Sequence, residues 1–223
     1  MRHSIRLVEH AIEEDVLDEM PLPPDWDAAV FDAETPFATR VKYAQARARK
    51  LGKGSSRVAF AIPYEGRETV LKIALNRKGL AQNEVEAEIM RDHYVKNLDI
   101  VIPMIDYDER TAQPTWLHVE LATKAKAGDF VKACGTSLED LVAYVGQHLG
   151  HHQFRFRKPS RIPDVDAELT NHFMDLVGNY DLPLPDLERL ANWGIYQNRP
   201  VLVDVGLSTV VYDEFYAPKY AFA

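Results

Sequence analysis

The sequence predicts an α+β protein of two parts, a small five-stranded part followed by a reduced, mostly helical one. Three observations carry this. Five short strand patterns with turn residues between them lie between Leu51 and Thr123, and a single helical pattern separates the third from the fourth. Beyond Gly128 the apolar residues recur at helical spacing. The chain then returns to short strands around Gly194 to Val203.

The elements follow in order. Ile5, Val8, Ile12 and Val16 stand at helical spacing with Glu13, Glu14 and Asp15 outside, predicting an amphipathic helix over 4–20. The prolines of "PLPPDWD" stop it. A second helix, with a basic outer face, is expected over 37–50, so residues 1–50 read as a helical extension. "LGKGSSRVAFAIPYEGRETVLKIAL" then reads as strand, Gly-rich turn, strand, a turn at Glu65-Gly66-Arg67, and strand. "KGLAQNEVEAEIMRDHYVKNL" is one helix, and "DIVIPMIDYDE" and "TWLHVELAT" are two more strands. Leu138, Leu141, Val142, Val145 and Leu149 form an apolar stripe behind a Ser137 cap, and Leu169, Phe173, Leu176, Val177 and Tyr180 form another.

Bulk composition narrows the function. The 223 residues are 46% hydrophobic and 27% charged, with net charge -8. That charge disfavours a general nucleic-acid binder, which needs a basic face to displace counterions. A single cysteine, Cys134, excludes an internal disulfide and fits a reducing cytoplasm. No apolar run reaches membrane-span length, and the N-terminus is too acidic for a signal peptide.

The chemistry centres on Asp204, at the end of the apolar strand Val201-Leu202-Val203. A carboxylate there is costly to bury unless something positive meets it, although it could simply cap the next turn. Gly52 and Gly54 let the backbone approach a phosphate, and the Ser55 and Ser56 hydroxyls add donors; an ordinary hairpin turn is the competing reading. Lys72, set among Val70, Leu71, Ile73 and Ala74, directs its ammonium towards an anion or snorkels to solvent from an edge strand. Glu86, with Glu84 and Glu88 as rivals, is the candidate partner for Lys72.

Together these segments resemble the protein kinase-like family. "LGKGSSRV" is similar to G-x-G-x-x-G-x-V, with Arg57 in place of the third glycine and Val58 bordering the nucleotide. "VLKIA" resembles the V-A-I-K strand, whose lysine holds phosphates and pairs with a helix glutamate. "WLHVELAT" resembles the strand entering the hinge, where the backbone of Glu120 and Ala122 would meet adenine. "DVG" at 204–206 resembles D-F-G, and "DLERLAN" the catalytic loop ending in a metal-binding asparagine. The likeness runs from 51 to 210, and "NWG" with "PVLVDVGLS" further resembles short bacteriophage-encoded kinase-like proteins, which would place this one in the host cytoplasm.

The resemblance implies a two-lobed kinase-like fold: an N-lobe over 51–123 and a truncated C-lobe over 124–223. It implies ATP and Mg²⁺ as cofactors, with Lys72 on the phosphates, Glu86 positioning it, and Asn192 and Asp204 on the metal. Asp186 is the candidate base, with Glu188 and Asp181 as rivals, and Arg189 stands near the transferred phosphate. A protein Ser/Thr hydroxyl is the expected acceptor. The loop departs from H-R-D-x-x-x-x-N: Leu184-Pro185 precedes Asp186, and one extra residue separates it from Asn192. The stretch after Gly206 is too short for an activation segment. Two alternatives therefore stand beside a kinase. One is a catalytically silent nucleotide-binding pseudokinase that presents a surface to a partner. The other is the same fold with a small-molecule acceptor or nucleotidyl transfer.

Three further features have ordinary readings. His148, His151 and His152 lack the companions of a zinc site. Arg155, Arg157, Lys158 and Arg161 form a basic run, a solvated loop or a substrate-docking patch. Tyr212, Phe215, Tyr216, Tyr220 and Phe222 are expected to pack the tail onto the core rather than stack on a ligand.

Overall fold

A computed structural model describes residues 21–150 and 157–217. The helix expected over 4–20, His151, His152, Arg155, Tyr220 and Phe222 lie outside the described residues. The protein is α+β. Five antiparallel strands form the main sheet in the order β1-β2-β3-β5-β4, and a second sheet joins β6, β7 and β8.

A 3-10 turn at Ala28–Phe31 and helix α1, Phe37–Arg47, lead into the main sheet. Helix α1 ends three residues earlier than expected, because β1, Arg49–Lys53, already takes up Arg49 and Lys50. Strands β2, Arg57–Tyr64, and β3, Arg67–Ala74, meet at a two-residue turn with positive φ at Glu65 and Gly66, the backbone that matches strand twist in a tight hairpin. Side-chain alternation sorts the sheet into two faces. Phe60, Ile62, Leu71, Ile73 and Trp116 pack under Trp26, Phe31 and Ala44 from the N-terminal segment.

The expected single helix over 78–98 is two. Asn76 caps α2, Arg77–Arg91, and the backbone turns extended at Asp92, whose carboxylate caps α3, His93–Leu98, through Tyr94 N–H at 2.8 Å. Residues 100–102 do not join the main sheet; Ile100 and Ile102 bond to Leu202, and β4 begins only at Met104–Tyr107. Strand β5 spans Trp116–Glu120, and β6 is the short Thr123–Lys124.

Helices α4, Ala127–Cys134, α5, Leu138–His148, and α6, Glu168–Asn179, follow, and Ser137 caps α5 as expected through Asp140 N–H. Both predicted stripes are buried except at their last residues, Leu149 and Tyr180, which are half-buried against the core, and they pack with Phe130 and Trp193 in a core that also includes Val70, Ile89 and Val119. That core crosses residue 123 without a break. The chain closes with α7, Leu184–Leu187, a 3-10 turn at Leu190–Asn192, β7, Trp193–Tyr196, β8, Arg199–Leu202, and α8, Thr209–Phe215. Among the described residues no helix is long and apolar enough to cross a membrane.

Candidate functional site

A cleft of about 950 Å³ opens between the Gly-rich turn and the segment carrying Asp204. Its walls include Gly52, Lys72, Glu120, Asp186, Asn192 and Asp204, so five separate stretches of sequence converge there.

The roof is the β1–β2 hairpin. Its register slips between Lys50 and Gly52, a bulge that bends the strand at the first glycine. A Cβ on Gly52 would meet nothing within 4 Å, and one on Gly54 would meet only Arg57 O at 3.9 Å. Internal packing thus gives no reason for glycine at either position; close approach of a ligand would. The two serines differ. Ser55 is exposed, whereas Ser56 is buried and its hydroxyl donates to Gln82 Oε1. Ser56 therefore holds the turn to α2 instead of offering a free donor. Val58 borders the cleft, yet it belongs to the core on the far face of the sheet. Ala59, directly opposite Lys72 in register, takes the cleft-side position.

Lys72 lies on β3 and is 8% exposed. Its ammonium donates to Glu86 Oε1 and, at 2.6 Å, to Val203 O. Glu86, fully buried on α2, is thereby distinguished from exposed Glu84 and Glu88. The edge-strand reading of Lys72 fails because β2 and β5 flank β3 on both sides.

The largest addition to the sequence reading is Arg57. Its guanidinium donates to Glu86 Oε2 through one nitrogen and to Asp204 Oδ1 through another, and Asn83 Oδ1 lies 3.4 Å away. Asp204 thus meets an arginine. Burial alone would raise the Asp204 pKa, but the charges of Arg57 and Lys72, aided by Gly206 N–H, hold it below the ordinary carboxylate value. The signal was in the sequence: a cation stands where the resembled pattern carries glycine, beside carboxylates that Lys72 alone cannot balance. Gly206 serves this contact. A Cβ there would sit 2.6 Å from Gln82 O and 3.0 Å from both terminal nitrogens of Arg57.

On the opposite wall Asn192 Nδ2 donates at 2.9 Å to both the backbone oxygen and Oδ2 of Asp186. Val203 N bonds Asn192 O at 2.8 Å, which ties this loop to the strand before Asp204. Burial, reinforced by the Asp204 charge, raises the Asp186 pKa even though Arg189 stands 3.3 Å away. Asp181 and Glu188 do not line the cleft; Asp181 accepts instead from Thr209 Oγ1 at 2.8 Å. Glu120 and Ala122 also line the cleft; Glu120 pairs with Arg67 at 2.8 Å, and Ala122 lies against Gly194.

Helix α8 closes the mouth. Tyr212 and Tyr216 line the cleft with rings nearly parallel at 6.4 Å, and Gln82 Nε2 donates to the Tyr216 hydroxyl at 3.2 Å. Tyr216 thus anchors the tail on α2, and the two rings in addition border the cleft, which the sequence reading did not include. Of the basic run, Arg157 binds Asp140 of this chain at 2.8 Å. His148 stacks on Tyr144.

Among the described residues no group of three or more His, Cys, Asp or Glu is arranged to hold a metal ion. The oxygens at Asn192 and Asp204 are nonetheless of the kind a hard divalent cation takes. Asn192 directs its amide nitrogen to Asp186, which leaves its carbonyl oxygen for such an ion, while Asp204 is shared with Arg57. No family model matches the chain, and no curated protein matches it.

Proposed function

We propose that this cleft binds ATP and that the protein is a two-lobed, kinase-like phosphotransferase acting on protein Ser/Thr hydroxyls. One observation carries the reading: glycines with open space above them, Lys72 held from behind by buried Glu86, Asp204, and the bonded Asp186–Asn192 pair face a single cleft. In this reading the turn at 52–54 lies over the phosphates, Lys72 draws on their oxygens while Glu86 fixes its position, and the backbone at Glu120 and Ala122 meets the adenine edge. Asn192 and Asp204 would hold Mg²⁺, which supplies charge neutralisation to the phosphate oxygens when bound. The acceptor oxygen forms a bond to the γ-phosphorus as the bond to the β–γ bridging oxygen breaks, leaving ADP. Asp186 takes the hydroxyl proton, a role its raised pKa suits. Arg189, exposed beside Asp186, can meet the transferred group. The chemistry belongs in the cytoplasm, where ATP is available.

The experiment is transfer of label from γ-labelled ATP to the protein itself or to a cell lysate, with Asp186→Asn as control. Label on protein that the variant loses supports the reading; equal labelling by both contradicts it.

A second reading, a nucleotide-binding pseudokinase that serves as an interaction module, is favoured by the Arg57 contact to Asp204. It predicts thermal stabilisation by ATP with no transferred label.

A further inference from the structure

We propose that Arg57 is the resident cation of this cleft and makes nucleotide binding independent of a divalent metal. The proposal rests on the nucleotide-binding reading, and it departs from that reading in one respect: the charge that Mg²⁺ would supply for binding is assigned to Arg57.

Three observations carry it. The Arg57 side chain is 9% exposed and holds two carboxylates from different elements, Glu86 on α2 and Asp204 after β8. A guanidinium keeps its proton at any working pH, so this charge is permanent. Second, the surroundings are shaped to it. The backbone at Gly206 passes so close that a methyl group would press on both terminal nitrogens. Third, the charges within the cluster already balance, and the other cleft carboxylate, Asp186, has Arg189 at 3.3 Å. Glu86 and Asp204 carry two negative charges, and Lys72 and Arg57 carry two positive ones, all linked by direct contacts. A kinase-type cleft with the lysine alone has a carboxylate left over that repels phosphate until a metal bridges them. Here that carboxylate is already neutralised. A divalent ion at Asp204 would instead meet a shared carboxylate and a positive neighbour, both of which weaken its binding.

The test measures binding, not turnover. ATP affinity is determined by calorimetry in EDTA and in Mg²⁺, and Mn²⁺ binding by electron paramagnetic resonance without nucleotide. For the wild type the account expects ATP dissociation constants within about twofold of each other in the two conditions. Arg57→Gln should bind ATP roughly tenfold more weakly in EDTA, recover in Mg²⁺, and bind Mn²⁺ at least about tenfold more tightly than the wild type. The added Mn²⁺ site should vanish in the Arg57→Gln, Asp204→Asn double variant. Arg57→Lys, which keeps the charge, should stay metal-independent and serves if the glutamine variant does not fold. Wild-type ATP binding that requires Mg²⁺ overturns the proposal. So does a wild-type Mn²⁺ affinity at Asp204 equal to that of Arg57→Gln, or of an uncharged variant at 57. Absence of ATP binding under both conditions defeats the nucleotide-binding reading, while the Mn²⁺ titration still decides the role of Arg57.

Discussion

Arg57 and Asp204, 147 residues apart in sequence, form a direct ion pair that fastens the Gly-rich turn to the strand end on the far side of the cleft. The same guanidinium reaches Glu86, so one buried carboxylate on α2 serves two cations.

That sharing makes Glu86 the least replaceable member of the cluster. Glu86→Ala leaves Lys72 buried without its carboxylate and Arg57 with only Asp204, and unpaired buried charge costs about 3–5 kcal/mol. Lys72→Met leaves Glu86 with Arg57 and should cost distinctly less. Urea midpoints for the two variants measure the order; a larger loss for Lys72→Met would contradict the sharing.

The glycines separate into two kinds. Gly206→Ala forces a methyl against backbone and guanidinium and should cost about 1–3 kcal/mol, the usual range for overpacking. Gly52→Ala meets open space, so its melting temperature should hold while ATP affinity falls. Paired melting and calorimetry curves check both.

How much of this was legible beforehand depended on how local the signal was. Lys72 announced itself as a charge inside a β-branched and aliphatic run, and Asp204 as a carboxylate ending another. The apolar stripes of α5 and α6 appeared up to their last residues, Leu149 and Tyr180, because burial on one face imposes a helical period. What failed was non-local. Asp92 looked like one more helix residue because the extended backbone that breaks the helix there comes with a tertiary contact: its carboxylate accepts from the Tyr180 hydroxyl. Val58 was expected to border the nucleotide, but with Arg57 at the third glycine the pattern's valine position falls at 59, and strand alternation sends Val58 to the far face and leaves Ala59 beside Lys72. Arg57 was seen only as a missing glycine, since its two partners lie 29 and 147 residues away. Tyr216 reaches the cleft mouth through Gln82, a contact no spacing encodes.

His118 should make the fold acid-sensitive. It is fully buried in the sheet, 2.6 Å from Thr69 Oγ1, and burial lowers its pKa from 6.5 to about 4. Between those values the unfolded chain binds a proton that the folded chain does not. Stability is therefore intact above 6.5 and falls as the pH drops towards 4. The loss at pH 5 relative to neutral should be about 2 kcal/mol. Urea unfolding at the two pH values measures it, and His118→Gln should lack that component.

As the proposed base, Asp186 is expected to set the pH dependence of transfer. Its raised pKa shifts the acid limb above the ordinary aspartate value of 3.8, with activity falling as the base is protonated. A limb at or below that value would point to another base.

The most direct test of the central claim is calorimetric titration of the wild type and Lys72→Met with ATP. The account predicts one site in the wild type and an affinity at least about tenfold weaker in the variant. Equal affinity in the two proteins, or no binding by the wild type, would contradict it.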